Sequence, residues 1–229
     1  MNNVKSRKGF TLVELSIAMA FIAILLILVL VVIINITGMH ARGRTLRDVN
    51  DTGRAIINDM RRTLSDSPPF NPNADNNIVH FPIGNSNPAY KTGGRFCTGT
   101  YTYVWNTFRG SRPNRYSDNN RPFSVAKVRD PNRELCANLG TGTDQGTVGP
   151  ASEAVELVSG DELVIYDFAA FQIHSRASGQ TLYSVSFVLG TRDGIDITTN
   201  TRCIQPGELD ANINFCAINR FDFTARSVR

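Results

Sequence analysis

The chain has 229 residues, 41% of them hydrophobic, which is enough for one domain with a real core plus an appendage and thin for two full domains. Lys and Arg number 24 against 20 Asp and Glu, but Lys5, Arg7 and Lys8 all fall in the first nine positions, so the body is close to neutral and implies no general nucleic-acid-binding surface. Three histidines and four cysteines without a C-x-x-C pair argue against zinc, and no cofactor or metal is expected.

Ile17 to Ile34 carries no charge, proline or glycine, and the apolar stretch extends from Phe10 to Thr37 with Glu14 as its only charged group. As a helix that stretch is about 42 Å long, enough to cross a hydrocarbon core of about 30 Å with some tilt. A secretory signal peptide has a shorter apolar run followed by a small-residue cut site. Here the run is longer, and the small residue, Gly9, stands before it. Charge alone leaves the orientation open, because Lys5, Arg7 and Lys8 on one side face Arg42, Arg44 and Arg47 on the other.

Glu14 is the informative residue. A carboxylate within an apolar span costs a few kcal/mol and is ordinarily partnered and functional. A glutamate near the interface can also snorkel to the headgroups. Were the chain cut after Gly9, Phe10 would carry a new α-ammonium group, and in a sister copy displaced along the axis that group meets Glu14.

Lys8-Gly9-Phe10-Thr11-Leu12-Val13-Glu14-Leu15 resembles the prepilin cleavage and methylation motif of type IV pilins and type II secretion pseudopilins. The resemblance covers about 30 residues at the amino terminus and implies cleavage between Gly9 and Phe10 by a membrane prepilin peptidase, N-methylation of Phe10, and a role for Glu14 in subunit registration. It implies a single-pass precursor in the cytoplasmic (inner) membrane with the head outside, then an extracellular or periplasmic filament. The implied partners are other pilin subunits, the prepilin peptidase, membrane lipid, and the platform protein and assembly ATPase of a pilus machine. Many pilins carry a proline midway along the apolar segment; this chain has none between Phe10 and Ser67.

From Met39 the composition changes but the helical period continues. Leu46, Val49, Ile56, Ile57, Met60 and Leu64 follow one face. Arg42, Arg47, Arg54, Arg61 and Arg62 fill much of the rest as a solvated face, with anionic headgroups a further candidate contact near Arg42–Arg47. Ser67-Pro68-Pro69 stops the helix.

Beyond the prolines the sequence is rich in turn residues and short strand-like runs. Strands are expected at Ile78–Phe81, Thr100–Trp105, Val155–Val158, Leu163–Phe168, Phe171–His174, Leu182–Leu189 and around Phe221–Ala225. Ser159-Gly160-Asp161 is expected to join two of them as a hairpin. His80 and His174 fall on expected strands and read as structural. The fold class is α+β: a long helix, transmembrane then amphipathic, packed on an antiparallel β-sheet head. The organisation is a leader over 1–9, an assembly half of the helix over 10–37, an amphipathic half over 38–66 and a β-rich head over 67–229.

The cysteines suit two disulfides in an oxidising compartment. Of three connectivities, chain proximity favours Cys203 with Cys216 and Cys97 with Cys136. Arg109, Arg112, Arg115 and Arg121, interleaved with Phe108, Tyr116 and Phe123, form the one candidate patch for DNA or another ligand, against the plainer reading of a solvated loop. Leu139 to Pro150 is Gly/Thr-rich without a phosphate-loop pattern. Asp193 and Asp196 flank a glycine and suit a turn better than calcium, which wants six to eight oxygens. No catalytic constellation is found, so a structural, non-enzymatic subunit is expected. The large, loop-rich head leans towards a minor rather than a major pilin.

Overall fold

The computed structural model describes residues 11–73, 77–82, 92–106, 117–118, 121–133, 154–158, 162–175, 180–196, 202–205, 207–209, 211 and 215–227. A single helix, α1, runs over Leu12–Asp66. Its first half is apolar on every side, and the described side chains of residues 12–37 are all exposed. Over an 18-residue window mean hydropathy reaches 3.6, so this helix is long and apolar enough to cross a membrane. The few hydroxyls in that half bond to their own helix: Ser16 Oγ donates to Val13 O at 2.9 Å and Thr37 Oγ1 to Ile33 O at 2.7 Å. Polar groups that close on the local backbone need no partner from lipid.

The second half of α1 buries one stripe, Val49, Gly53, Ile56, Met60, Thr63 and Leu64, which is the period the sequence predicts. The helix stops where Ser67 Oγ donates to Thr63 O at 2.6 Å and two prolines follow.

The head holds β1 (Ile78–Pro82), β2 (Thr92–Cys97), β3 (Tyr101–Trp105), β4 (Ser117–Asp118), β5 (Arg121–Pro122), β6 (Val125–Arg129), β7 (Ala154–Val158), β8 (Leu163–Ser175), β9 (Thr181–Thr191) and β10 (Ile218–Ser227). All pairings are antiparallel. They form not one sheet but a five-stranded sheet in the order β1-β2-β3-β6-β7, a three-stranded sheet in the order β10-β9-β8, and the small β4-β5 pair.

The expected hairpin between β7 and β8 is therefore corrected: β7 pairs with β6, and β8 with β9. Turn residues specify a reversal of the chain, whereas partner choice follows the length of ladder on offer. Along β9 the 13 residues of β8 find a ladder running from Leu163↔Thr191 to Ser175↔Thr181, against the five residues of β7. Phe171–His174 is likewise the far end of β8 rather than a separate strand.

Both sheets and the helix stripe share one core. Val49, Ile56, Met60 and Leu64 of α1 meet Tyr103 and Trp105 of β3, Phe168 of β8, Tyr183, Val185 and Phe187 of β9, and Phe221 and Phe223 of β10. Aromatic contacts tie the sheets together: Trp105 stacks on Phe168 at 4.6 Å, and Phe96 tilts against the same ring at 5.3 Å. His80 stands edge-on to Trp105 at 5.9 Å.

The other face of β8 and β9 carries a second cluster of Val164, Tyr166, Val188, Ile195 and Cys216. Having both faces covered explains why β8 lacks a simple in-out alternation.

Candidate functional site

The carboxylate that stood out in the sequence is held by its own helix end. Thr11 N donates to Glu14 Oε2 at 2.9 Å and Thr11 Oγ1 donates to the same oxygen at 2.8 Å. In return Glu14 N donates to Thr11 Oγ1 at 3.2 Å, while Leu15 N makes the first helical bond to Thr11 O at 3.2 Å. This is a capping box: two otherwise orphaned donors at the start of the helix are satisfied reciprocally. Glu14 Oε1 makes no hydrogen bond among the described residues. Thr11 is thus a functional neighbour that the motif reading passed over, although Thr-x-x-Glu before an apolar run is a legible N-terminal signature. Gly9 and Phe10, where cleavage and methylation are expected, lie outside the described residues.

Where α1 meets the five-stranded sheet, a half-buried polar cluster fixes its register. Lys127 Nζ on β6 lies 3.1 Å from Asp59 Oδ1, with the two side chains only 14% and 27% exposed. The Tyr103 hydroxyl donates to Asp59 Oδ2 at 2.7 Å and shares a second hydrogen bond with Thr63 Oγ1, also at 2.7 Å. Lys127 Nζ also sits 4.4 Å from the centre of the Tyr101 ring. Burial pushes the Tyr103 hydroxyl well above the usual phenol range; the Thr63 hydrogen bond opposes this and the Asp59 carboxylate adds to it. No sequence signal marks this cluster, because residues 59, 103 and 127 meet only through the tertiary fold. It acts as a lock between elements.

A second lock joins the two sheets. Asn106 directly follows β3 with φ of 49° and is buried. Ile165 N on β8 donates to Asn106 Oδ1 at 3.0 Å, and Asn106 Nδ2 donates back to Ile165 O. The side-chain amide therefore acts as one more strand residue along the edge of β8. Asparagine tolerates the left-handed backbone that this needs.

The candidate cysteines divide. Cys203 and Cys216 form the expected disulfide, with Cα atoms 5.9 Å apart. Cys97 on β2 is disulfide-bonded, while Cys136 lies outside the described residues. Of the candidate patch, Arg109, Arg112 and Arg115 lie outside the described residues, and Arg121 opens β5, paired with Asp118. The Gly/Thr-rich segment over 139–150 is also outside them. Asp196 Oδ2 accepts from Arg202 Nε at 2.9 Å, so that carboxylate already has a cation.

An open groove of about 640 Å³ lies between α1 and the loops around β8 and β9, lined by Asp48, Thr52, Glu162, Asp193 and Phe215 among others. Among the described residues no group of three His, Cys, Asp or Glu side chains is placed to hold a metal ion.

The chain matches no protein-family model, no curated protein and no solved structure.

Proposed function

We propose that the chain is a structural subunit of a type IV pilus or related filament, a minor pilin processed by a prepilin peptidase and assembled through α1. One observation carries this reading. A single uninterrupted helix, Leu12–Asp66, opens with a carboxylate, continues through residues exposed and apolar on every side, and ends with one stripe buried in the head. A soluble domain has no use for so much uncovered apolar helix, and the acid that opens it stands in an apolar span, where a charge is costly and ordinarily functional.

The capping box supplies a resting state for Glu14, its charge held by the Thr11 amide and hydroxyl. Oε1 remains available to an ammonium group on a sister subunit. Cleavage after Gly9 creates that group at Phe10.

The test is mass spectrometry of the amino terminus together with a Glu14→Gln variant, which keeps hydrogen bonding and removes the charge. A mature chain beginning at an N-methylated Phe10, and loss of Glu14→Gln from the sheared filament fraction while it remains in the membrane, are expected. A chain isolated from cells that still begins at Met1, or a Glu14→Gln subunit that assembles normally, would refute the proposal.

A further inference from the structure

The solvent side of α1 within the head is written in pairs. Arg44 stands four residues before Asp48, Arg47 before Asp51, and Arg62 before Asp66, and all six are exposed. At about 100° per residue they fall within an arc of roughly 100°, on the side of the helix away from Val49, Gly53, Ile56 and Met60.

As pairs within one helix they are poorly arranged, because an acid preceding a base by four residues is the favourable order. Only Arg47–Asp51 closes, at 3.3 Å, with side chains 81% and 62% exposed. The side chains of Arg44, Asp48, Arg62 and Asp66 make no ion pair or hydrogen bond among the described residues.

We propose that this face is a contact between neighbouring copies of the chain, staggered by four residues. The proposal rests on the filament reading above. Phe10 and Glu14 are also four residues apart. A sister copy displaced by about 6 Å along the helix direction brings its residues level with those four positions away. The same displacement brings its Arg44, Arg47 and Arg62 level with Asp48, Asp51 and Asp66. Without the stagger each arginine is level with the same arginine of its neighbour, and like charges oppose the contact. The basic members of one copy meet the acidic members of the next, so the contact is head-to-tail.

The full chain is tested in filament-producing cells with two variants, Asp48→Arg/Asp66→Arg and Arg44→Asp/Arg62→Asp. Either alone is expected to lower recovery in the sheared filament fraction at least about tenfold, because level positions now repel. Expressed together, the two variants are expected to co-assemble, because each supplies the charge the other lacks. Rescue between two different molecules has no explanation in pairs within one helix.

Fluorescence of Trp105 in detergent checks that the heads are folded. Where a reversal fails that check, Asp48→Asn/Asp66→Asn replaces it and is expected to give a smaller loss of filament recovery, an undiminished recovery overturning the contact. Assembly of either reversed variant at the parent level, or failure of the folded pair to rescue each other, overturns the staggered contact. If the parent chain is processed at Phe10 and pellets with filaments while the charge variants do so equally well, only this contact falls. If the parent chain keeps Met1, the filament reading falls as well.

Discussion

Gly53 sits on the buried stripe of α1, and a Cβ built there would lie 2.2 Å from Phe221 Cζ on β10. Carbon contacts are comfortable at about 3.5–4.0 Å, so in a Gly53→Ala protein the ring must retreat by roughly 1.5 Å. It has little room, because Phe221 is 8% exposed and stacks on Phe187 at 5.2 Å. Glycine to alanine in a helix interior ordinarily stabilises by about 1 kcal/mol. Overpacking a filled core costs about 1–3 kcal/mol, with loss of the ring stack in addition. The steric effect wins, and Gly53→Ala is expected to destabilise by about 1–2 kcal/mol. Gly43 is the internal control: it is helical and exposed, and a Cβ there meets nothing within 4 Å. Gly43→Ala is expected to stabilise by about 0.5–1 kcal/mol. The assay is urea unfolding of the full chain in a nonionic detergent, followed by the single tryptophan, Trp105, which is 1% exposed in the shared core. Gly53→Ala matching or exceeding the parent in stability would refute the packing argument. A relieving second change, Phe221→Leu, should cost less in the Gly53→Ala background than in the parent.

Asn106→Ala removes both hydrogen bonds to Ile165 and strands that residue's buried amide, so a loss of about 3 kcal/mol is expected, read as a lower urea midpoint at Trp105. Tyr103 and Tyr183 both have their hydroxyl pKa raised, chiefly by burial. Phenols in the unfolded chain ionise near pH 10, so above about pH 10 the unfolded state sheds protons that the folded state keeps, and stability falls as pH rises. Below that pH this contribution is fully present. Tyr103→Phe should be less stable at neutral pH yet show a flatter alkaline decline, and a decline as steep as the parent's would count against the assignment. Serine at both Cys203 and Cys216 opens a loop spanning a sequence separation of 13 and is expected to cost about 3 kcal/mol, read as a lower urea midpoint, whereas a thiol reductant should cost the parent chain more because it also opens the Cys97 disulfide.

The legible parts of the molecule are those written in local periodicity. The 3.6-residue stripe from Val49 to Leu64, the stop at Ser67-Pro68-Pro69 and the strands carrying Tyr103, Val185 and Phe223 all repeat a pattern within a few residues. β2 was not legible: Gly93, Gly94 and Arg95 have poor strand propensity. Gly93 is there because a Cβ would stand 2.7 Å from Asn106 O. The split into two sheets was not legible either, because local turns say nothing of which distant strand offers the longer ladder. The Cys203–Cys216 bridge followed from chain proximity. At the amino terminus, Glu14 was conspicuous for its charge, while its partner Thr11 is conspicuous only once helix ends are counted.

The last strand fastens directly onto the helix at the front of the chain. Asn219 Nδ2 donates to Asn50 Oδ1 at 2.7 Å, Phe221 fills the space over Gly53, and Ser227 Oγ donates to Ser67 O at 2.7 Å. The two ends of these bonds are separated by 169 and 160 residues. At a synthesis rate of about 5–20 residues per second, the stripe waits roughly 10–30 s for its final cover. Throughout that interval Ile56 and Met60 are in want of a lid, so the nascent protein is prone to stick until β10 is made, and any truncation near the carboxyl terminus should leave the long helix intact but sticky.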